Sequence, residues 1–190
     1  MKSFKLLATA SLIILGISSV KAQSTTEIDF GIKAGANFST LKTGLDAVTD
    51  KSGKVGFNAG VFARIGKDFY FQPEINYVTF SDKYSFNAIS YDAKFKQLNV
   101  PLMAGYKIVN TSALIFRVSA GPDFYYNLKD PVAPAGFKYK DLTAGAVLNA
   151  GVDIGSLTLD ARYSMGLSKF NEGLGQKANI FSVGVGFKFQ

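Results

Sequence analysis

The chain has 190 residues, 21 Lys and Arg against 14 Asp and Glu, a formal net charge of +7 and a hydrophobic fraction of 47%. It contains no cysteine, so no disulfide or thiol chemistry is available. It also contains no histidine, which removes Ser-His and Cys-His dyads, histidine-bearing zinc sites and the usual general base at neutral pH. An enzyme is therefore not expected, and no cofactor is expected either.

The first 22 residues read as an export signal. Lys2 and Lys5 precede an apolar run from Leu6 to Ile17, and Val20-Lys21-Ala22 offers small residues at the −3 and −1 positions of a cleavage site. The run is shorter than the roughly 20 residues of a spanning helix. Residues 23–190 then form a single domain. Without Lys2, Lys5 and Lys21 the charge falls to +4, with 18 basic against 14 acidic residues. Scattered charge of that size argues for no nucleic-acid partner and suits acidic surfaces such as lipid headgroups.

Eight segments follow, each alternating with a period of two. The first sets Ile28, Phe30, Ile32, Ala34, Ala36 and Phe38 against Asp29, Lys33 and glycines. The second runs from Val55 to Ile65, with Arg64 on its polar face, and the third from Phe69 to Tyr77, with Glu74 on that face. The fourth spans Gln97 to Tyr106, and the fifth Leu114 to Phe124, carrying Arg117 and Asp123. The sixth, Asp141 to Asp153, is followed by Leu157 to Leu167 with Asp160 and Arg162. The eighth, Asn179 to Phe189, places Phe181, Val183, Val185, Phe187 and Phe189 opposite Ser182, Gly184, Gly186 and Lys188. Each is about the 9–11 residues that a tilted strand needs to cross a bilayer.

The connections alternate as well. Gly66-Lys67-Asp68, Ile108 to Ser112 and Gly155-Ser156 are tight, whereas Thr40 to Lys54, Ser81 to Lys96, Asn127 to Lys140 and Ser168 to Lys177 are long and polar. Short turns on one side, long loops on the other and an even strand number predict an all-β, eight-stranded antiparallel up-and-down transmembrane barrel, with both termini on the short-turn, periplasmic side. The stretch Ser81 to Lys96 keeps some alternation and is expected to prolong its strands as an exposed hairpin.

The apolar parity carries no charge in any segment, while the other carries Asp29, Lys33, Arg64, Glu74, Arg117, Asp123, Asp141, Asp153, Asp160, Arg162 and Lys188. Two barrels share this pattern. In one, the apolar parity meets lipid; in the other, a soluble periplasmic lipocalin-like barrel, it surrounds a small apolar ligand. The polar parity is rich in glycine, from Gly31 to Gly186, which suits a crowded eight-stranded interior and would only weaken a solvated face. The membrane form is the expectation.

The third-strand motif FQPEINY and the later QLNVPLMAGYK resemble the outer-membrane β-barrel domain family that includes PorT-like proteins. Pro73, Glu74, Ile75 and Tyr77 fit the first motif, and Leu98, Val100, Pro101 and Leu102 the second. SAGPDF, DLTAGAVLNAG, LDARYSMGLS and FSVGVGFKF resemble the family's later strands, so the likeness runs from Glu27 to Phe189. The resemblance implies an outer-membrane location and this fold, and little about activity. It also implies recognition by the barrel assembly machinery through a C-terminal aromatic. That residue is Phe189 here, followed by Gln190 where such barrels commonly end on the aromatic itself.

Arg64, Glu74, Arg117 and Arg162 are the candidate site, with Asp141 and Asp160 expected to join them in an ion-pair network across the lumen, because buried charge is tolerated only when paired. An eight-stranded barrel leaves room only for side chains, so a wide diffusion pore is not expected, while a narrow or transient conductance stays open. A structural role, or a surface role with a protein partner at the long loops, is the functional expectation. Asp46 and Asp50 are too few for a calcium site.

Overall fold

The computed structural model describes residues 27–42, 48–86, 89–129, 140–169 and 177–189. Its eight strands are β1 (Ile28–Lys42), β2 (Val48–Ile65), β3 (Phe69–Phe86), β4 (Ile89–Asn110), β5 (Leu114–Lys129), β6 (Leu142–Ile154), β7 (Leu157–Gly166) and β8 (Lys177–Phe189). Each pairs antiparallel with its sequence neighbours, and β1 pairs with β8 from Phe30↔Phe189 to Lys42↔Lys177, which closes the barrel and leaves no free edge in the wall.

The tight connections follow from their residues. Gly66 (φ 128°) and Gly155 (φ 57°) supply the left-handed backbone that the β2–β3 and β6–β7 turns need. At the β4–β5 turn the Thr111 hydroxyl accepts from the Leu114 amide at 3.0 Å and donates to its carbonyl at 2.7 Å. The centres of the long connections, residues 43–47, 87–88, 130–139 and 170–176, lie outside the described residues. So do the proposed signal, Asp46, Gln190 and the two prolines between β5 and β6.

The strands are longer than the bilayer-crossing minimum, from 10 residues in β7 to 22 in β4. Much of Thr40 to Lys54, read from sequence as loop, is strand, because β1 continues to Lys42 and β2 starts at Val48. The stretch Ser81 to Lys96 is the β3–β4 hairpin, paired to Phe86↔Ile89. β1 accompanies β2 only as far as Val55 and β5 accompanies β4 only as far as Lys96, so the ends of β2, β3 and β4 continue as a three-stranded flap beyond the closed wall.

Burial is inverted relative to a protein folded in water. Outward residues are apolar and exposed, as at Ile32 (50%) and Val185 (54%), while Arg117 (0%), Arg64 (1%) and Glu74 (2%) are sealed inside. A wall of apolar side chains exposed on every strand far exceeds the patches that soluble monomers tolerate, and lipid is the solvent that suits it. The lipocalin-like alternative required the opposite orientation. Outward aromatics pair near both ends of the wall, Phe69 with Tyr106 (4.7 Å) and Phe187 with Phe189 (5.7 Å) at the turn side, Phe38 with Phe181 (6.3 Å) and Phe57 with Tyr77 (5.8 Å) towards the loops. These are the interfacial girdles of a membrane barrel.

Candidate functional site

The lumen is filled by one connected set of charged and amide side chains. Its centre is Glu74 on β3. Both carboxylate oxygens accept from Arg162 of β7 (2.7 and 2.8 Å) and from Lys33 Nζ of β1 (3.0 and 2.9 Å). Gln72 Nε2 and Asn76 Nδ2, two residues to either side on the same face, donate at 2.7 and 3.0 Å. A carboxylate can accept about four hydrogen bonds comfortably, and six contacts from five donor nitrogens to one group is a saturated arrangement.

From Arg162 the chain of contacts runs towards the turns. Arg162 Nε donates to Asn149 Oδ1 at 3.2 Å, and Asn149 Nδ2 donates to Asp160 Oδ1 at 2.8 Å. Asp160 pairs with Arg117 Nη2 (2.8 Å), whose Nε reaches Asp153 Oδ1 (3.1 Å). Asp153 also accepts from Arg64 Nη1 at 2.6 Å and pairs with Lys188 Nζ at 3.4 Å. The Arg64 guanidinium lies against the rings of Phe62 and Tyr70, at 5.5 and 5.3 Å from their centroids. Asn76 Nδ2 extends the set to Asn99 of β4 at 3.2 Å, so all eight strands contribute a member.

Alternating signs make this arrangement affordable. Each buried cation touches at least one carboxylate, which offsets the several kcal/mol that desolvating an ion costs. Glycine makes the room: a Cβ at Gly151 would overlap the Arg117 guanidinium, and one at Gly31 would overlap the Phe62 ring. Towards the loops, Asp123 is held by Asn99 and by the Tyr125 hydroxyl (2.9 Å), with no basic group in ion-pair contact among the described residues. Above it Phe80 and Phe95 stack at 4.6 Å, with Val78 and Ile180 also buried.

Two spaces along the lumen measure about 30 Å³ each, the first lined by Lys33, Asn76, Asn99 and Arg162 and the second by Phe80, Gln97, Tyr125 and Ile180. That is the volume of a water molecule or two. No group of three or more potential metal ligands occurs among the described residues.

Of the residues singled out from sequence, Arg64, Glu74, Arg117, Asp160 and Arg162 meet in this network. Asp141 does not. It sits exposed just before β6, where its carbonyl accepts from the Asn127 amide at 2.7 Å. Alternation says nothing of height: Asp141 precedes the first residue of β6, whereas Asp153 lies near its other end. Lys33, Asp153 and Lys188, which shared the polar parity without being singled out, are full members. Phe189 lies outward on β8 opposite Phe30, at the turn side.

A closed eight-stranded wall, apolar outside, with a charged and filled interior, is the class of small outer-membrane β-barrels. The chain belongs to the outer membrane protein beta-barrel domain family, which residues 21–172 match. Among solved structures it is similar to OprG from Pseudomonas aeruginosa (14% identity, 85% of this chain and 96% of that one, TM-score 0.59). It is also similar to Neisserial surface protein A (17%, 84% and 97%, 0.54). A third is Ail, the attachment invasion locus protein of Yersinia pestis, in complex with the heparin analogue sucrose octasulfate (17%, 86% and 99%, 0.51). At these identities the likeness shows the fold. No curated protein sequence matches the chain.

Proposed function

We propose that this outer-membrane protein is a sealed, non-enzymatic barrel of the PorT-like branch, whose role is structural or lies in surface interaction. The observation that carries this reading is the filled lumen: among the described residues, the two spaces found along the Glu74-centred network measure about 30 Å³ each, too small for a solute path. The absence of histidine and cysteine from the sequence supports a non-enzymatic role. The export signal over residues 1–22, cleaved after Ala22, and Phe189 as the aromatic read by the assembly machinery are parts of the same proposal. So is a protein partner at the loop side, supported by the three-stranded flap that β2–β4 extend beyond the closed wall.

The test is electrical. In planar bilayers the purified protein gives no stable conductance steps in molar KCl, and lipid vesicles containing it retain small sugars. Reproducible open steps from the wild-type chain would overturn the sealed-lumen reading.

A further inference from the structure

The charge of the barrel is divided unevenly between its ends. Over residues 23–190, the lumen and the turn side hold seven basic residues (Lys33, Arg64, Lys67, Lys107, Arg117, Arg162, Lys188) and seven acidic ones (Glu27, Asp29, Asp68, Glu74, Asp123, Asp153, Asp160). Among the described residues the loop side holds ten basic residues, all of them lysines, against four aspartates, a surplus of +6.

The strand register gathers these lysines into a belt. Lys96 stands directly opposite Lys129 across β4 and β5, and Lys42 directly opposite Lys177 across β1 and β8. Lys54 and Lys94 both pair with Ser81, one on each side of β3. Like charges in directly opposed positions destabilise a sheet, yet the fold creates one of these pairs by a local irregularity. Between Lys96↔Lys129 and Gln97↔Asn127 the register slips by one residue, at Leu128. Without that bulge Lys129 would share the lumen parity of Asn127 and Tyr125; with it, Lys129 joins Lys96 on the outward face. Bulges re-aim side chains in this way.

Lys94, Lys96 and Lys129 are exposed, and neither they nor Lys177 has a carboxylate in ion-pair contact among the described residues. Asp82 is in register with Gly53 and Ala93 rather than with a belt lysine, and Asp92 is in register with Lys83, further out. The belt sits just beyond the last apolar outward residues, Leu98 on β4, Leu128 on β5 and Phe181 on β8. That is the level of the lipid headgroups on the loop side.

We propose that this belt binds the phosphate groups of anionic lipids in the outer leaflet. A phosphate shared between two opposed ammonium groups supplies the counter-charge that the sheet itself withholds. Lysine stems lie along the apolar wall and carry their charge up to the headgroup plane. The proposal needs only the bilayer-spanning barrel, so its failure would leave the sealed-lumen reading intact.

The test is a reversal of order. The full-length barrel is compared with Lys129→Glu by the temperature at which its heat-resistant gel band converts. In neutral detergent micelles Lys129→Glu melts higher than wild type, because a repulsive pair becomes attractive. In the same micelles doped with diphosphorylated lipid A the order inverts, because the variant loses a phosphate ligand. The same order in both media would overturn the proposal. Should Lys129→Glu not fold, Lys96→Gln/Lys129→Gln/Lys177→Gln serves instead. Native mass spectrometry then shows it holding phosphorylated lipid A about a hundredfold more weakly than wild type does, from roughly a tenfold loss per one or two lysines at a charged surface. Equal retention by both would count against the belt. Stabilisation of the wild type by inorganic phosphate or heparin alone, to the level given by the lipid, would assign the lysines to a soluble anion and equally overturn the lipid assignment.

Discussion

Replacing Glu74 with alanine lowers the conversion temperature of the purified barrel and its midpoint in urea, with a loss of about 3–5 kcal/mol. The variant strips the shared partner from two buried cations, Lys33 and Arg162, and leaves the amides of Gln72 and Asn76 without their acceptor. A net stability of about 5–15 kcal/mol makes that a large fraction of what holds the fold. Glu74→Gln fills the same space and keeps part of the hydrogen bonding, yet loses most of the same stability, since charge compensation rather than volume is what Glu74 supplies. Adding Lys33→Met to Glu74→Gln restores part of the loss, because one uncompensated ion is then gone. An unchanged midpoint in Glu74→Ala would sink the network as a source of stability.

Val183→Arg is the second large effect. Val183 is the middle residue of β8, outward, flanked in register by Ala36 and Ala161. An arginine there, on the lipid face one outward residue in from the Phe181 girdle, costs about 1–3 kcal/mol, between the values for the interface and the midplane, measured by urea titration in lipid vesicles. Its neighbour Ser182 points inward and donates to Asn37 Oδ1 at 2.8 Å. Ser182→Ala forfeits that one hydrogen bond, worth about 1 kcal/mol. A tolerated arginine at Val183 would mean that this part of the wall does not face hydrocarbon.

What is legible in the sequence alone follows from the side-chain period of a strand. Alternation from Phe181 to Phe189 assigns each residue to a face, glycines at Gly66 and Gly155 mark where the chain must reverse, and the count of segments determines that the barrel is narrow. Alternation carries no information on height. The stagger between strands decides that Arg64 meets Asp153, 89 residues away, and that Asp141 meets neither. It depends on backbone pairing summed around the barrel, which no single segment encodes. The bulge at Leu128 shows the same limit more sharply. Strict parity assigns Lys129 to the lumen, and one inserted residue moves it outside. The polar end of β2 reads as loop because alternation weakens there, although backbone pairing to β3 continues, whereas the residual alternation of Ser81 to Lys96 is enough to mark the β3–β4 hairpin.

The seam between β1 and β8 joins the earliest strand to the latest. Lys33 enters the network from one side of that seam and Lys188 from the other, so the ionic interior lacks its full complement of positive charge until the ends of the chain have met. Most of the sequence separation in the fold is concentrated in that one step, which makes assembly slow and strongly cooperative. A chain ending before β8 leaves Asp153 short of a partner, β1 and β7 with unpaired backbone and the lumen open to lipid. Partial barrels therefore have no stable resting state, and the membrane receives either the completed cylinder or none.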